Sequence, residues 1–126
     1  TMARLNALRE KGQPVFIDFT GPGWANCIVN EAVAFNVKNT KQYFEENKIV
    51  ALRADKGDLQ LKKQIEDLFE KLGHTTKTIP YCAFFPPARS EAEPVGYSGL
   101  ITSNGVIDQF KEILSEQKSE AIVMNK

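Results

Sequence analysis

Cysteine is scarce in this chain. Two thiols in 126 residues cannot build a disulfide scaffold, and their spacing matches no zinc pattern. The one histidine has no cysteine or histidine cluster around it, which argues against a metal site. Charge of either sign is not in excess, because Lys plus Arg and Asp plus Glu both number 16. A neutral chain argues against nucleic acid or an anionic membrane as the main partner. No apolar run approaches the length of a membrane span, and no signal-peptide pattern is present. Repeats, linkers and low-complexity tracts are lacking as well. With 42% hydrophobic and 25% charged residues, the composition still supports a buried core rather than disorder. The length is that of one domain, taken over residues 1–126 and read as a piece of a longer protein. Residues 116–126 are a tail of unassigned structure whose apolar cluster, Ala121 to Met124, has no evident role.

The informative stretch runs from Val15 to Cys27. Val15 to Phe19 is an apolar run broken only by Asp18, bounded by Pro14 and by the turn Gly21-Pro22-Gly23. Such a run predicts a buried strand. A carboxylate inside it is disfavoured unless it is paired, neutralised or used. Trp24-Ala25-Asn26-Cys27 then leads into a helical pattern, with Cys27 near the helix start, where the macrodipole favours a thiolate. A buried acid on a strand and a cysteine at the following helix N-terminus form a redox-type arrangement.

Along the rest of the chain, Met2, Leu5, Ala7 and Leu8 predict a short amphipathic helix stopped by Gly12 and Pro14. A helix is expected from about Ala25 to Ala34, then a connection from Phe35 to Lys38. Asn39 or Thr40 is expected to cap the next helix, anchored by Tyr43 and Phe44. Ile49 to Ala54 reads as a second strand. Leu61, Ile65, Leu68, Phe69 and Leu72 share one helical face, with Asp58 as the expected cap and Gly73 as the stop. Lys56, Asp58, Lys62 and Lys63 read as a solvated rim rather than a binding patch. Tyr81 to Phe85 and Val95 to Tyr97 are strands, the latter at an edge. Thr102 or Ser103 is expected to cap a last helix with Val106, Ile107, Phe110, Ile113 and Leu114 inward. Strands alternating with helices, then a strand pair and a final helix, give an α/β fold. Its mixed central sheet has helices on both faces and its first two strands parallel.

The active-site stretch resembles that of the thioredoxin superfamily. The order Asp18, Trp24 to Cys27, Asn30-Glu31, Phe35, Leu52 to Asp55, Gly73, Thr78 to Tyr81 and Phe85-Pro86-Pro87 resembles the C-terminal, periplasmic domain of DsbD-type disulfide-interchange reductases. That resemblance implies a thioredoxin-like fold and a protein or peptide thiol/disulfide partner. It also implies a place in envelope redox or cytochrome c biogenesis, with membrane contact only through a parent protein's other domains. It implies no cofactor, metal or nucleic acid. The localisation it implies is the periplasm or cell envelope. Asp18 falls on the family's buried acid and Cys27 on its second cysteine, so these two are the implied catalytic residues. Gly23, Trp24, Ala25 and Asn26 fall on the active-site loop, and Trp24 stands where the first cysteine would be. Ile79 and Pro80 fall on the family's cis-proline position, where the backbone of Ile79 would bond an extended partner peptide.

Each of these residues also has a plainer reading. Cys27 can be a buried small hydrophobe, Asp18 a strand-end carboxylate and Pro80 a strand-start proline. Trp24 is either a packing aromatic at a loop edge or a plug in the nucleophile's place. Cys82 is expected to face the core, toward the helix carrying Cys27. A Cys27–Cys82 disulfide would need Cα atoms within about 7 Å, and both thiols are expected free. His74 is expected to be an exposed loop histidine. Two functions stand: a DsbD-type thiol:disulfide interchange domain with a degenerate Trp24-Ala25-Asn26-Cys27 site, or a non-catalytic module that holds an extended peptide.

Overall fold

The computed structural model describes residues 2–124, with side chains described for 2–115. The chain order is α1 (Met2–Glu10), β1 (Val15–Thr20), α2 (Ala25–Asn30), α3 (Lys38–Glu46), β2 (Val50–Asp55), α4 (Lys62–Lys71), β3 (Tyr81–Phe85), β4 (Val95–Ser98) and α5 (Ser103–Met124). α2 continues without a break into a π-helical stretch, Glu31–Phe35. The sheet order is β2-β1-β3-β4. β1 runs parallel to β2, and β3 runs antiparallel to both β1 and β4.

Period two explains the layers. Val15, Ile17 and Phe19 of β1 join Tyr81, Ala83 and Phe85 of β3 on one face, packed with Leu5 of α1 and Ile65, Leu68 and Phe69 of α4. Phe16, Cys82 and Phe84 point the other way, onto Ala34, Phe44, Val106 and Phe110. Phe16 makes an edge contact with Phe84 at 5.3 Å between centroids. β1 lies between two strands and is buried along its whole length, which is why its sequence is apolar on both faces.

Helix ends differ from the expectations in an instructive way. Gly73 does stop α4: it takes φ +74°, its N–H reaches Glu70 O, and His74 N–H reaches Phe69 O. Thr102 Oγ1 accepts the Gly105 N–H at the start of α5. Asp58, however, does not cap α4. Its Oδ1 accepts the Gln60 N–H in a preceding turn, and the helix begins at Lys62. Nor do Asn39 and Thr40 cap α3, which already starts at Lys38. Thr40 lies inside that helix, buried, with its hydroxyl on Ala34 O and on Ser103. α5 extends to Met124, so most of the stretch expected as a tail is helical. The side chains of Ala121 to Met124 lie outside the described residues.

Candidate functional site

β1 ends at Thr20 beneath a turn whose shape is forced by close contacts. A Cβ on Gly21 would stand 2.9 Å from Ile79 Cδ1 and 3.2 Å from Trp24 Cδ1, so any side chain there would have to displace these two. Trp24 follows at the N-cap of α2 in extended conformation, with no side-chain cap bond. Its ring is 49% exposed. Across the turn lies Ile79, joined to Pro80 by a cis peptide bond. Gly21, Trp24 and Ile79 thus meet at one point, and Cys27 lies one helical turn further along.

Cys27 is 1% exposed and free, packed in the cluster that holds Phe19, Ile79 and Tyr81. Burial pushes its thiol pKa up. The Thr20 hydroxyl and the Gly21 backbone pull it down, and the charges of Asp18 and Glu31 raise it further. The helix N-terminus therefore does not make Cys27 a ready thiolate. Cys82 is also free and buried, on the opposite face among Phe16, Phe84 and Phe110. Its pKa is raised by burial and by Asp18. The two sulfurs belong to different clusters and form no disulfide.

Asp18 pairs across the sheet with Arg53 on one side and Cys82 on the other. Burial and the neighbouring Glu31 push its carboxyl up to about 7, with Arg53 opposing. Arg53 Nη2 lies 3.6 Å from Glu31 Oε1, an oxygen that is buried without a hydrogen-bond partner. Asp18, Glu31 and Arg53 line a cleft of about 500 Å³ floored by Phe16, Phe35 and Phe44. Sequence reasoning assigned Asp18 but gave Glu31 and Arg53 no role. Glu31 is four residues beyond Cys27, a spacing that places both on one helical face. Arg53 becomes visible only once the β1–β2 register is known.

His74 corrects an expectation. It is buried at 8% exposure rather than free in a loop. Its ring stacks on Tyr81 at 3.9 Å and 13°, meets Phe69 edge-on, and its Nε2 donates to Thr78 O at 2.7 Å. It thereby ties down the segment that leads into Ile79–Pro80. Asn30 was also missed as a structural anchor. It is buried, donates to Gly99 O and accepts the Ile101 N–H, so it pins α2 to the β4–α5 connection.

Around this centre the surface is apolar. Trp24, Ile28, Val29, Val33, Tyr97 and Leu100 are all exposed. Val29, Val33, Tyr97 and Leu100 line a groove of about 380 Å³ that contains no charged side chain. No described helix is long and apolar enough to cross a membrane.

Comparison with known proteins follows this geometry. Residues 2–87 match a family model described as thioredoxin-like. No curated protein matches the chain significantly. Among solved structures, it is similar to chloroplastic thioredoxin z, at 13% identity and TM-score 0.63, covering 90% of this chain and 89% of that one. It is similar to the reduced C-terminal domain of Neisseria meningitidis DsbD, at 15% identity and TM-score 0.59, covering 90% and 96%. A DsbH oxidoreductase matches at 14% identity and TM-score 0.59, covering 88% and 78%. At such identities the likeness is one of fold.

Proposed function

The chain belongs to the thioredoxin-like family, and from that premise we propose that it is a DsbD-type thiol:disulfide interchange domain whose own dithiol chemistry is lost. Its setting is envelope redox or cytochrome c biogenesis, in the periplasm or cell envelope, and its partner is a protein thiol or disulfide. The observation that carries this is Trp24 at the N-cap of α2. Disulfide exchange begins with a thiolate attacking a disulfide sulfur. The favourable place for that thiolate is the exposed helix N-terminus, and indole has no thiolate form. The remaining sulfur, Cys27, is buried with a raised pKa. What persists is a surface suited to an extended chain: Trp24, the cis Ile79–Pro80 segment and the apolar groove beside them.

On this reading, restoring one sulfur should restore a dithiol, because Cys27, Asp18 and Pro80 fall where the resemblance expects the rest of the site. The test compares the natural chain with Trp24→Cys for reduction of an insulin disulfide under excess dithiol reductant. The natural chain should add nothing to the reductant alone. In the variant, the introduced thiolate attacks one insulin sulfur and expels the other as a thiol. Cys27 then displaces the bound sulfur, closing an internal disulfide that the reductant reopens. Equal rates for the two proteins would refute the role given to Trp24. A folded variant that cannot form the internal bond would leave the second reading, a purely peptide-holding module, which the exposed apolar surface favours.

A further inference from the structure

A second groove, of about 360 Å³, shares no lining residue with the uncharged one. Its floor is apolar, made by Ile65 and Phe69 of α4, both buried. Its rim carries Lys56, Lys62 and Lys77 against the single acid Glu66, a net charge of +2 on a chain that is neutral as a whole. None of the three ammonium groups is in an ion pair with a described residue. The nearby acids Asp55 and Asp58 keep their charge but do not line the groove; each accepts a backbone N–H of its own loop. Leu59, 84% exposed, stands at the same rim.

Two features hold this rim against the candidate site. Lys77 takes the left-handed conformation at φ 57°, unusual for a residue with a side chain, and its carbonyl accepts Lys56 Nζ at 2.6 Å. Lys56 is thereby tied to the backbone of the segment that leads into Ile79. Lys77 also lies three residues before Pro80, and a Cβ on Gly57 would come within 3.0 Å of Pro22 in the active-site turn. The lysine rim therefore adjoins the backbone segment along which an extended chain at Ile79 would lie.

We propose that this groove is a docking subsite for an acidic segment of the thiol partner, one that carries an apolar side chain for the Ile65–Phe69 floor and carboxylates for the three lysines. The proposal rests on the peptide-holding reading above and names the chemical class of the partner. Charge complementarity at such a rim sets orientation and encounter rate more than raw affinity. It would fix which way an extended segment lies across Ile79–Pro80: acidic end toward Lys77, uncharged apolar end toward Val29 and Leu100.

The experiment is an NMR titration of the isotope-labelled chain with three synthetic peptides. They share one extended apolar sequence and differ only in an acidic, uncharged or basic flank. The acidic peptide should shift the amides of Leu59, Lys62, Lys77 and Ile79 together and bind most tightly. Its advantage should vanish as salt rises from about 0.01 M to 1 M and the screening length falls from about 30 Å to 3 Å. Lys62→Glu should weaken the acidic peptide about three- to tenfold and leave the uncharged one unchanged. This variant should fold, since an acid in the first turn of α4 suits the helix dipole. Equal affinity for all three peptides, with shifts confined to Trp24 and Ile79, would overturn the subsite while the peptide-holding reading stands. Absence of shifts at Trp24 and Ile79 with every peptide would overturn both. Free glutamate producing the same shifts at the same concentrations would mean that a small carboxylate fills the groove, and would overturn the partner segment.

Discussion

Asp18 is a carboxyl that the central strand buries, and burial first, then the neighbouring Glu31, disfavours its charged form. Its pKa in the folded chain is raised to about 7, against 3.8 for the free group. The folded state then holds the proton more tightly than the unfolded chain. The stabilisation is fully present below about 3.8 and is lost as pH rises through about 7. Urea midpoints across this range should therefore fall more steeply with pH for the natural chain than for Asp18→Asn, and the variant should be the more stable one at pH 8. A parallel pH dependence for the two proteins would show that Asp18 titrates normally. At Gly96 the constraint is spatial: a Cβ there would lie 1.5 Å from the Tyr81 hydroxyl. Gly96→Ala should cost about 3 kcal/mol or more, at the upper end of overpacking effects, read from chemical denaturation. Asp18 was legible in the sequence because a charge interrupts an apolar run. His74 was not, because nothing in a polar loop announces a ring stacked on a strand tyrosine.

At the scale of elements, strands and the faces of long helices were legible, since burial imposes a period on the sequence. Helix starts were not. Thr40 and Asp58 are residues that favour caps, yet tertiary demands placed them elsewhere, Thr40 as a buried link to α5 and Asp58 in a turn. The change of α2 into a π-helical stretch at Glu31 left no mark in the pattern either. Asn30, the last residue of regular α2, joins that helix to the β4–α5 connection through Gly99 and Ile101. Asn30→Ala would leave one buried donor and one carbonyl without partners, costing about 2–3 kcal/mol. The loss should concentrate in this corner. Amide exchange should quicken at Ile101 and along α2 while the β1–β2 ladder keeps its protection. Uniform acceleration across the sheet would mean that Asn30 is an ordinary core residue rather than a local fastener.

Over the whole molecule, one sheet separates two cores, and each of the two cysteines belongs to a different one. The mixed sheet with helices on both faces could be read from element order, and so could the parallel pairing of the first two strands. The placement of Cys27 and Cys82 in separate cores could not, because period two gives the face of a strand residue but not how a helix N-terminus settles over the strand ends. This arrangement makes the thiols reporters on the two halves. Cys82 sits on β3 and points into the layer formed by Phe44, Val106 and Phe110, so it can meet a bulky reagent only if that layer comes away from the sheet. Cys27 is the third residue of a helix whose N-cap makes no side-chain bond, so fraying of one turn uncovers it. Both should react slowly with an aromatic disulfide reagent in native buffer, since both are buried with raised pKa values. In rising urea, Cys27 in the Cys82→Ala variant should label before the global transition seen by circular dichroism. Cys82 in the Cys27→Ala variant should label only with that transition. If Cys27 labels at the global midpoint, the start of α2 is as firmly held as the sheet. The buried sulfur would then be closed to exchange chemistry even with a partner thiol restored at Trp24.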